Sequence, residues 1–128
     1  MQDIHILAGA RTPLVQFSFS TGELLIEGES YPEDVRSFFD EPMRALTEWL
    51  TSTDTPVTLE FRLIYFNSST AKVIMGILDR LQAAAETGRS CVVRWYYASD
   101  DDNIRELGEE FGSDLAGVRF EMVPETLE

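Results

Sequence analysis

At 128 residues the chain suits one domain spanning 1–128, and a chain of this size buries roughly two thirds of its unfolded surface, enough for a core without staples. Ten basic against 23 acidic residues leave a formal charge of -13. Nucleic acid and anionic membrane are therefore poor partners for the surface as a whole, and a protein partner with a basic patch is favoured.

The lone Cys91, in "SCVVRWYY", allows no intrachain disulfide and fits a reduced, cytoplasmic setting. The start, "MQDIHILAGART", lacks the basic-then-apolar order of a signal peptide, and residues 1–12 are expected to be loosely ordered. No apolar run approaches the ~20 residues of a membrane span, so no membrane insertion is expected.

Leu14 to Phe19 and Glu23 to Gly28 read as short strands, and "STG" between them supplies turn chemistry for a β-hairpin. A short turn is expected around Glu33 to Phe38. A helix follows from about Glu41 to Ser52, because Pro42 is tolerated in a first turn, and Asp40 is then its N-cap. Leu46, Trp49 and Leu50 form its apolar stripe, with Met43 leading in. Pro56 to Asn67 is the strongest strand, with Val57, Leu59, Phe61, Leu63 and Tyr65 on one face and Thr58, Glu60 and Arg62 on the other.

"STAKVIMGILDRLQAAAETG" is the strongest helix, its apolar residues at helical spacing and Gly88 as its stop. "SCVVRWYYA" is the next strand, placing Cys91, Val93, Trp95 and Tyr97 on one face. "DDDNIRELGEEFGSDL" is the third helix, with Ile104, Leu107 and Phe111 as its stripe, and Gly117 to Val123 is the last strand.

Strand–helix–strand units imply parallel neighbours joined by right-handed crossovers. A sheet covered on both faces would read as continuous apolar runs. Here Glu60, Arg62, Arg94, Arg119 and Glu121 alternate with apolar residues. The expectation is a two-layer α/β domain: a mixed sheet of about five strands, an N-terminal hairpin plus parallel strands, with helices mainly on one face. The other face is charged, partly wet and free to meet a partner.

Catalytic patterns are absent from the sequence. His5, the sole histidine, has no nucleophile placed beside it. One Cys and one His give no metal-ligand spacing, and "DDDN" at 100–103 lacks the glycine and distal glutamate of a calcium loop. Capping and the helix dipole explain those acids better. No catalytic residue, cofactor site or metal site is assigned.

"NSST", Asn67 to Thr70, lies where the strongest strand gives way to the strongest helix. One hydroxyl suffices to cap a helix, and three adjacent ones exceed that need. The carboxyl end of a strand in an α/β sheet is also where function concentrates, and a phosphate there meets free N–H groups and a positive dipole end. The residues themselves leave a plain cap and a functional loop equally open.

The chain resembles the SiaC-like family of bacterial regulatory phosphoproteins, which is distant in sequence from anti-sigma factor antagonists and shares their STAS-like fold. The likeness rests on "SYPED" (30–34), "FF" with Pro42, "EWL" (48–50), "LIYFNSSTAK" (63–72), "GRSCVVRWYY" (88–97) and "ELGEEF" (106–111). The resemblance implies a non-enzymatic phosphorylation switch. A Ser/Thr kinase of the anti-sigma type phosphorylates the strand–helix loop, and a metal-dependent Ser/Thr phosphatase reverses it. The unphosphorylated form binds and activates a diguanylate cyclase or similar effector, raising cyclic di-GMP and favouring biofilm. The family's Asn-Thr-Ser-Ser pattern, with Thr as acceptor, maps onto Ser68, where this chain has serine; Ser69 and then Thr70 are the rivals. Asn67, Ser68, Ser69 and Lys72, flanked by Tyr31 and Glu33, are the expected partner-binding residues. The alternative is a plain interaction module in which "NSST" only caps the helix.

Overall fold

The computed structural model describes residues 1–126. The elements run β1 (Ile4–Ile6), β2 (Leu14–Ser18), β3 (Glu23–Ser30), α1 (Val35–Ser52), β4 (Val57–Phe66), α2 (Ser68–Glu86), β5 (Cys91–Ala98), α3 (Asp102–Ser113) and β6 (Arg119–Glu125). All six strands form one sheet in the order β1-β2-β3-β4-β5-β6. The first two pairings are antiparallel and the remaining three parallel. This is the two-layer mixed α/β arrangement of a STAS-like domain.

The sixth strand is a correction to the expectation that residues 1–12 are loosely ordered. Ile4–Ile6 pairs with Val15–Phe17, and Ile4 is buried. The alternation of Ile4, His5 and Ile6 gives the segment one apolar side to lay on the core, and that burial holds so short a strand.

Each crossover, through α1, α2 and α3, carries the chain to the next strand in the same direction across the sheet. Right-handed crossovers that never reverse direction put every helix on the same face. That face holds the core: Phe17, Leu24, Ile26, Leu59, Phe61, Val93 and Trp95 meet Leu46, Trp49, Ile74, Ile77 and Leu81 of the helices. The opposite face is half exposed and laced with ion pairs. Arg62 and Arg94 both reach Glu60, Arg94 and Arg119 both reach Glu121, and Arg62 stacks 3.6 Å over the Tyr96 ring. The shared parity of these residues along β4, β5 and β6 has this ladder as its outcome.

Helix α1 begins six residues before the expected Glu41. Asp34, rather than Asp40, is its N-cap, accepting from the Ser37 backbone N–H and from the Ser37 hydroxyl. Those bonds, the side-chain one first, hold the Asp34 carboxyl below its ordinary range. Asp40 instead pairs with Arg44 one turn on. Pro42 therefore lies inside the helix, where a proline normally costs about 3 kcal/mol. It is buried on the stripe of Phe39, Leu46 and Trp49, and burial of each large apolar side chain is worth about 1.5–3 kcal/mol. That stripe carries the helix through the proline.

Two residues lock the helices to the sheet. Arg89 is buried and donates to the carbonyls of Leu50, Thr53 and Thr55, with its guanidinium 4.6 Å above the Trp49 ring. It thereby takes up the Leu50 carbonyl in the last turn of α1, that of the C-cap Thr53 and that of Thr55 in the segment beyond. Trp95 stands on β5 among Phe61, Phe66, Phe111 and Phe120, and its indole N–H donates to Ile104 O at 3.0 Å. Gly108 of α3 lies flat against that indole, and a Cβ there would overlap the ring. Burial pushes the Cys91 thiol up from its ordinary range, which marks it as a packing residue. Among the described residues no helix is long and apolar enough to cross a membrane.

Gly108→Ala tests this packing against propensity. Alanine favours an isolated helix by about 0.8–1 kcal/mol. Displacing the indole should outweigh that gain and give a net loss of about 1–3 kcal/mol, seen as a lowered thermal midpoint in circular dichroism. A midpoint raised by the substitution would show that the indole is not tightly held.

Candidate functional site

The four residues of "NSST" divide their tasks. Asn67, in extended conformation, is the N-cap of α2, its side-chain oxygen accepting from the Thr70 N–H at 3.0 Å. The cap is thus the asparagine and none of the three hydroxyls. Thr70 is 1% exposed. Its hydroxyl donates to the Ser30 carbonyl at 3.0 Å and lies 2.9 Å from the Ser30 hydroxyl. Thr70 has one hydroxyl proton, so the Ser30 hydroxyl donates the second bond. Ser30 is fully buried at the end of β3, and the Asn67 N–H also donates to its carbonyl.

Ser68 and Ser69 are the first two residues of α2, and both are exposed. Among the described residues neither hydroxyl makes a hydrogen bond. The Thr70 N–H is taken by the cap and that of Ala71 by the Asn67 carbonyl. The N–H groups of Ser68 and Ser69 remain directed at the loop's surroundings, at the positive end of the α2 dipole. The pair stands at the carboxyl end of parallel β4, chemically suited to carry or meet an anion.

A bulge sets the surface beside them. Gly28 pairs with Leu63, but the next residue, Glu29, pairs with Tyr65, so β4 has one residue more than β3 at this point. The alternation along β4 therefore shifts. Leu63 and Phe66 are buried, while Ile64 is 65% and Tyr65 51% exposed. This corrects the expectation that Tyr65 faces the core with Leu63. A bulge lengthens one strand locally and re-aims its side chains. Adjacent Tyr65 and Phe66 cannot both enter one face of a strand, and Phe66 takes the place in the aromatic cluster with Trp95 and Phe111. Tyr65 turns outward against Tyr31, ring centroids 5.5 Å apart at 72°.

Tyr31 is half-buried and Glu33 exposed. The Tyr31 N–H donates to Arg11 O at 2.8 Å, which ties the N-terminal segment to this corner. Two turns along α2 from Ser68, on the same helical side, Met75 is 51% exposed. Of the residues expected at the site, Tyr31, Asn67, Ser68 and Ser69 gather at this corner, and Lys72 follows one turn into α2. Tyr65 joins the exposed residues of this corner, a place that strict alternation hides; the run of two aromatics is the signal for it.

On the other side of Ser69, α1 and α2 enclose a groove of about 440 Å³ lined by Arg36, Lys72 and Arg80 with Val35, Met43 and Val73. Arg36 and Lys72 are the cations at the Ser69 end of this groove; Arg80 lies about three turns along α2 and also lines a second hollow with Asp40, Glu41 and Glu48. The described residues contain no cluster of three His, Cys, Asp or Glu side chains able to hold a metal ion. His5 lies on β1, at the sheet edge.

Comparison with known proteins agrees in sequence and in shape. The family model for SiaC family regulatory phosphoproteins matches residues 6–125. An uncharacterised protein of Pseudomonas aeruginosa strain UCBPP-PA14 is 36% identical over 116 residues, covering 91% of this chain and 92% of that protein. The crystal structure of apo-SiaC from Pseudomonas aeruginosa is similar with a TM-score of 0.88 at 36% identity, covering 96% of this chain and 99% of that one. A chain in the crystal structure of the diguanylate cyclase SiaD in complex with its activator SiaC, from the same organism, gives a TM-score of 0.92 at 33% identity over 96% of this chain and 100% of that one. The chain belongs to the SiaC family of regulatory phosphoproteins.

Proposed function

We propose that this chain is a non-enzymatic switch in the cytoplasm whose unphosphorylated form binds and activates a diguanylate cyclase, and that phosphorylation of Ser68 releases the cyclase. One observation carries the reading: the cap and the buried bond fall to Asn67 and Thr70, which leaves Ser68 and Ser69 exposed with no structural task. A plain cap reading does not account for them. The likeness to an activator solved in complex with its cyclase supports the partner class.

In the switch, Ser68 Oγ attacks the γ-phosphorus of ATP bound to a partner Ser/Thr kinase. The new O–P bond forms as the bond to ADP breaks, and the hydroxyl proton passes to a base of the kinase. A metal-dependent phosphatase returns the hydroxyl by hydrolysis. The phosphate adds about 1.5 to 2 negative charges. At a helix N-terminus that charge is favourable by about 0.3–1 kcal/mol, so the fold persists. At an interface the same charge must be desolvated, and binding is lost. Tyr65, Tyr31 and the start of α2 form the docking surface, because exposed aromatics give large contact area with few rotors to freeze.

Three outcomes are expected. Ser68→Ala should abolish the switch phosphorylation at position 68 by the cognate kinase, read by tandem mass spectrometry, and leave cyclase activation near wild type; wild-type protein that the kinase modifies but never at Ser68 assigns the acceptor elsewhere. Tyr65→Ala should weaken cyclase binding by about five- to thirtyfold in calorimetric titration, with the thermal midpoint little moved. Thr70→Val should leave phosphorylation in place but lower stability by about 1–3 kcal/mol, because Ser30 loses both a donor to its carbonyl and an acceptor for its hydroxyl. Loss of phosphorylation in a folded Thr70→Val protein would make Thr70 the acceptor.

A further inference from the structure

The ten basic side chains are distributed unevenly. Arg44, Arg62, Arg94, Arg105 and Arg119 sit in ion pairs. Arg89 is taken up by backbone carbonyls. Four remain: Arg11, Arg36, Lys72 and Arg80. Among the described residues none of them has an ion-pair partner, and three of the four line the groove between α1 and α2 that also holds Ser69; Arg80 lines a neighbouring hollow with Asp40, Glu41 and Glu48 as well. No carboxylate lines that groove.

In a chain with 23 acids, Arg36 and Lys72 stand with Ser69 in a groove whose lining holds no carboxylate, an arrangement suited to an anion. Arg80 is also fixed in place. Its Nε donates to Thr47 Oγ1 at 2.9 Å and its Nη1 to Gly76 O at 2.8 Å, both neutral partners. These bonds hold the guanidinium near Gly76, away from Ser69, and Asp40, Glu41 and Glu48 share a second hollow with it. The helical period separates the two serines. Ser69 shares its side of α2 with Lys72, Val73, Gly76 and Arg80, the α2 residues of the groove. Ser68 shares its side with Lys72 and the exposed Met75.

We propose that the Ser69 end of the α1–α2 groove is a phosphate-monoester site filled in cis: Ser69 is a second phosphoacceptor, and its phosphoryl group folds into the groove against Arg36 and Lys72. This rests on the reading of the loop as a kinase substrate. The transfer is the same as at Ser68, with ATP as donor, ADP as leaving group and the hydroxyl proton passing to the kinase. The consequence differs. A phosphate on Ser68 stands at the Tyr65 corner, whereas one on Ser69 bridges the first turns of α1 and α2. Its charge of about -1.5 to -2 and its three acceptor oxygens match the groove, where arginines favour planar pairing with phosphate.

The test uses full-length protein with phosphoserine encoded genetically at 68 or at 69, so that no kinase is needed. The second phosphate pKa is followed by phosphorus NMR. Cations favour the dianion, so phosphoserine 69 should titrate at least half a unit below phosphoserine 68 and below the usual value of about 6. Arg36→Gln should return it to the phosphoserine 68 value while leaving phosphoserine 68 itself unmoved. Phosphoserine 69 should also raise the thermal midpoint by a few degrees, an increase lost in Arg36→Gln. Equal titration of the two phosphoserines, or indifference to Arg36→Gln, overturns the proposal. Cyclase binding by the same proteins is read separately. A clamp that forms without any loss of binding refutes the switch and not the site, and loss of binding without a clamp refutes the site and not the switch.

Discussion

The hydrogen-bonded pair of Thr70 and Ser30 governs the geometry of the functional corner. It joins the first turn of α2 to the last residue of β3, forty residues earlier, inside the core. A buried hydroxyl must find partners or forfeit about 1–3 kcal/mol, so this pairing leaves α2 one rotational setting. Thr70 points inward, and the helical period then sends Ser68 and Ser69 outward. Asn67, having capped the helix, also binds Ser30 through its backbone. The loop is therefore short, rigid and pre-positioned, which suits a site where a small chemical change must alter recognition and leave the fold intact.

The scaffold behind that corner follows from its crossovers. A chain that steps across a sheet in one direction with right-handed connections has no means of covering the second face. The uncovered face is made tolerable by the ladder of Glu60, Arg62, Arg94, Arg119 and Glu121, whose charges are largely matched within the sheet. Partly exposed pairs of this kind contribute little stability each. Their use is solubility: they keep a half-open sheet hydrated without attracting nonspecific partners. The docking surface proposed above lies elsewhere, at the carboxyl ends of the strands, where the Tyr31–Tyr65 pair and the start of α2 project.

The charge pattern divides the molecule in the same way. Net charge of -13 describes the long-range field, which sets encounter rates and solubility. Chemistry at the loop depends on charges within a Debye length, about 8–10 Å at ordinary salt. There, Arg36 and Lys72 line the groove that holds Ser69, and no carboxylate does. A partner with a basic surface, as the overall charge favours, would thus meet a locally cationic groove beside the serines.

The element order, the parallel pairing, the single helical face and the charged open face were all legible in the chain, because each follows from local periodicity and connection rules. Pro42 misled the start of α1, since a proline's local cost was outweighed by burial of Phe39, Leu46 and Trp49. Ile4–Ile6 was overlooked because three residues carry too little pattern to announce an edge strand. The sequence by itself determined that hydroxyls crowd a strand–helix junction at the carboxyl edge of an α/β sheet. Only the tertiary structure decided which hydroxyl is buried, which residue caps the helix, that a bulge turns Tyr65 outward, and that cations from two helices converge beside Ser69. Those are outcomes of long-range contacts, between β3 and α2, β3 and β4, and α1 and α2, and no local period in the chain encodes them.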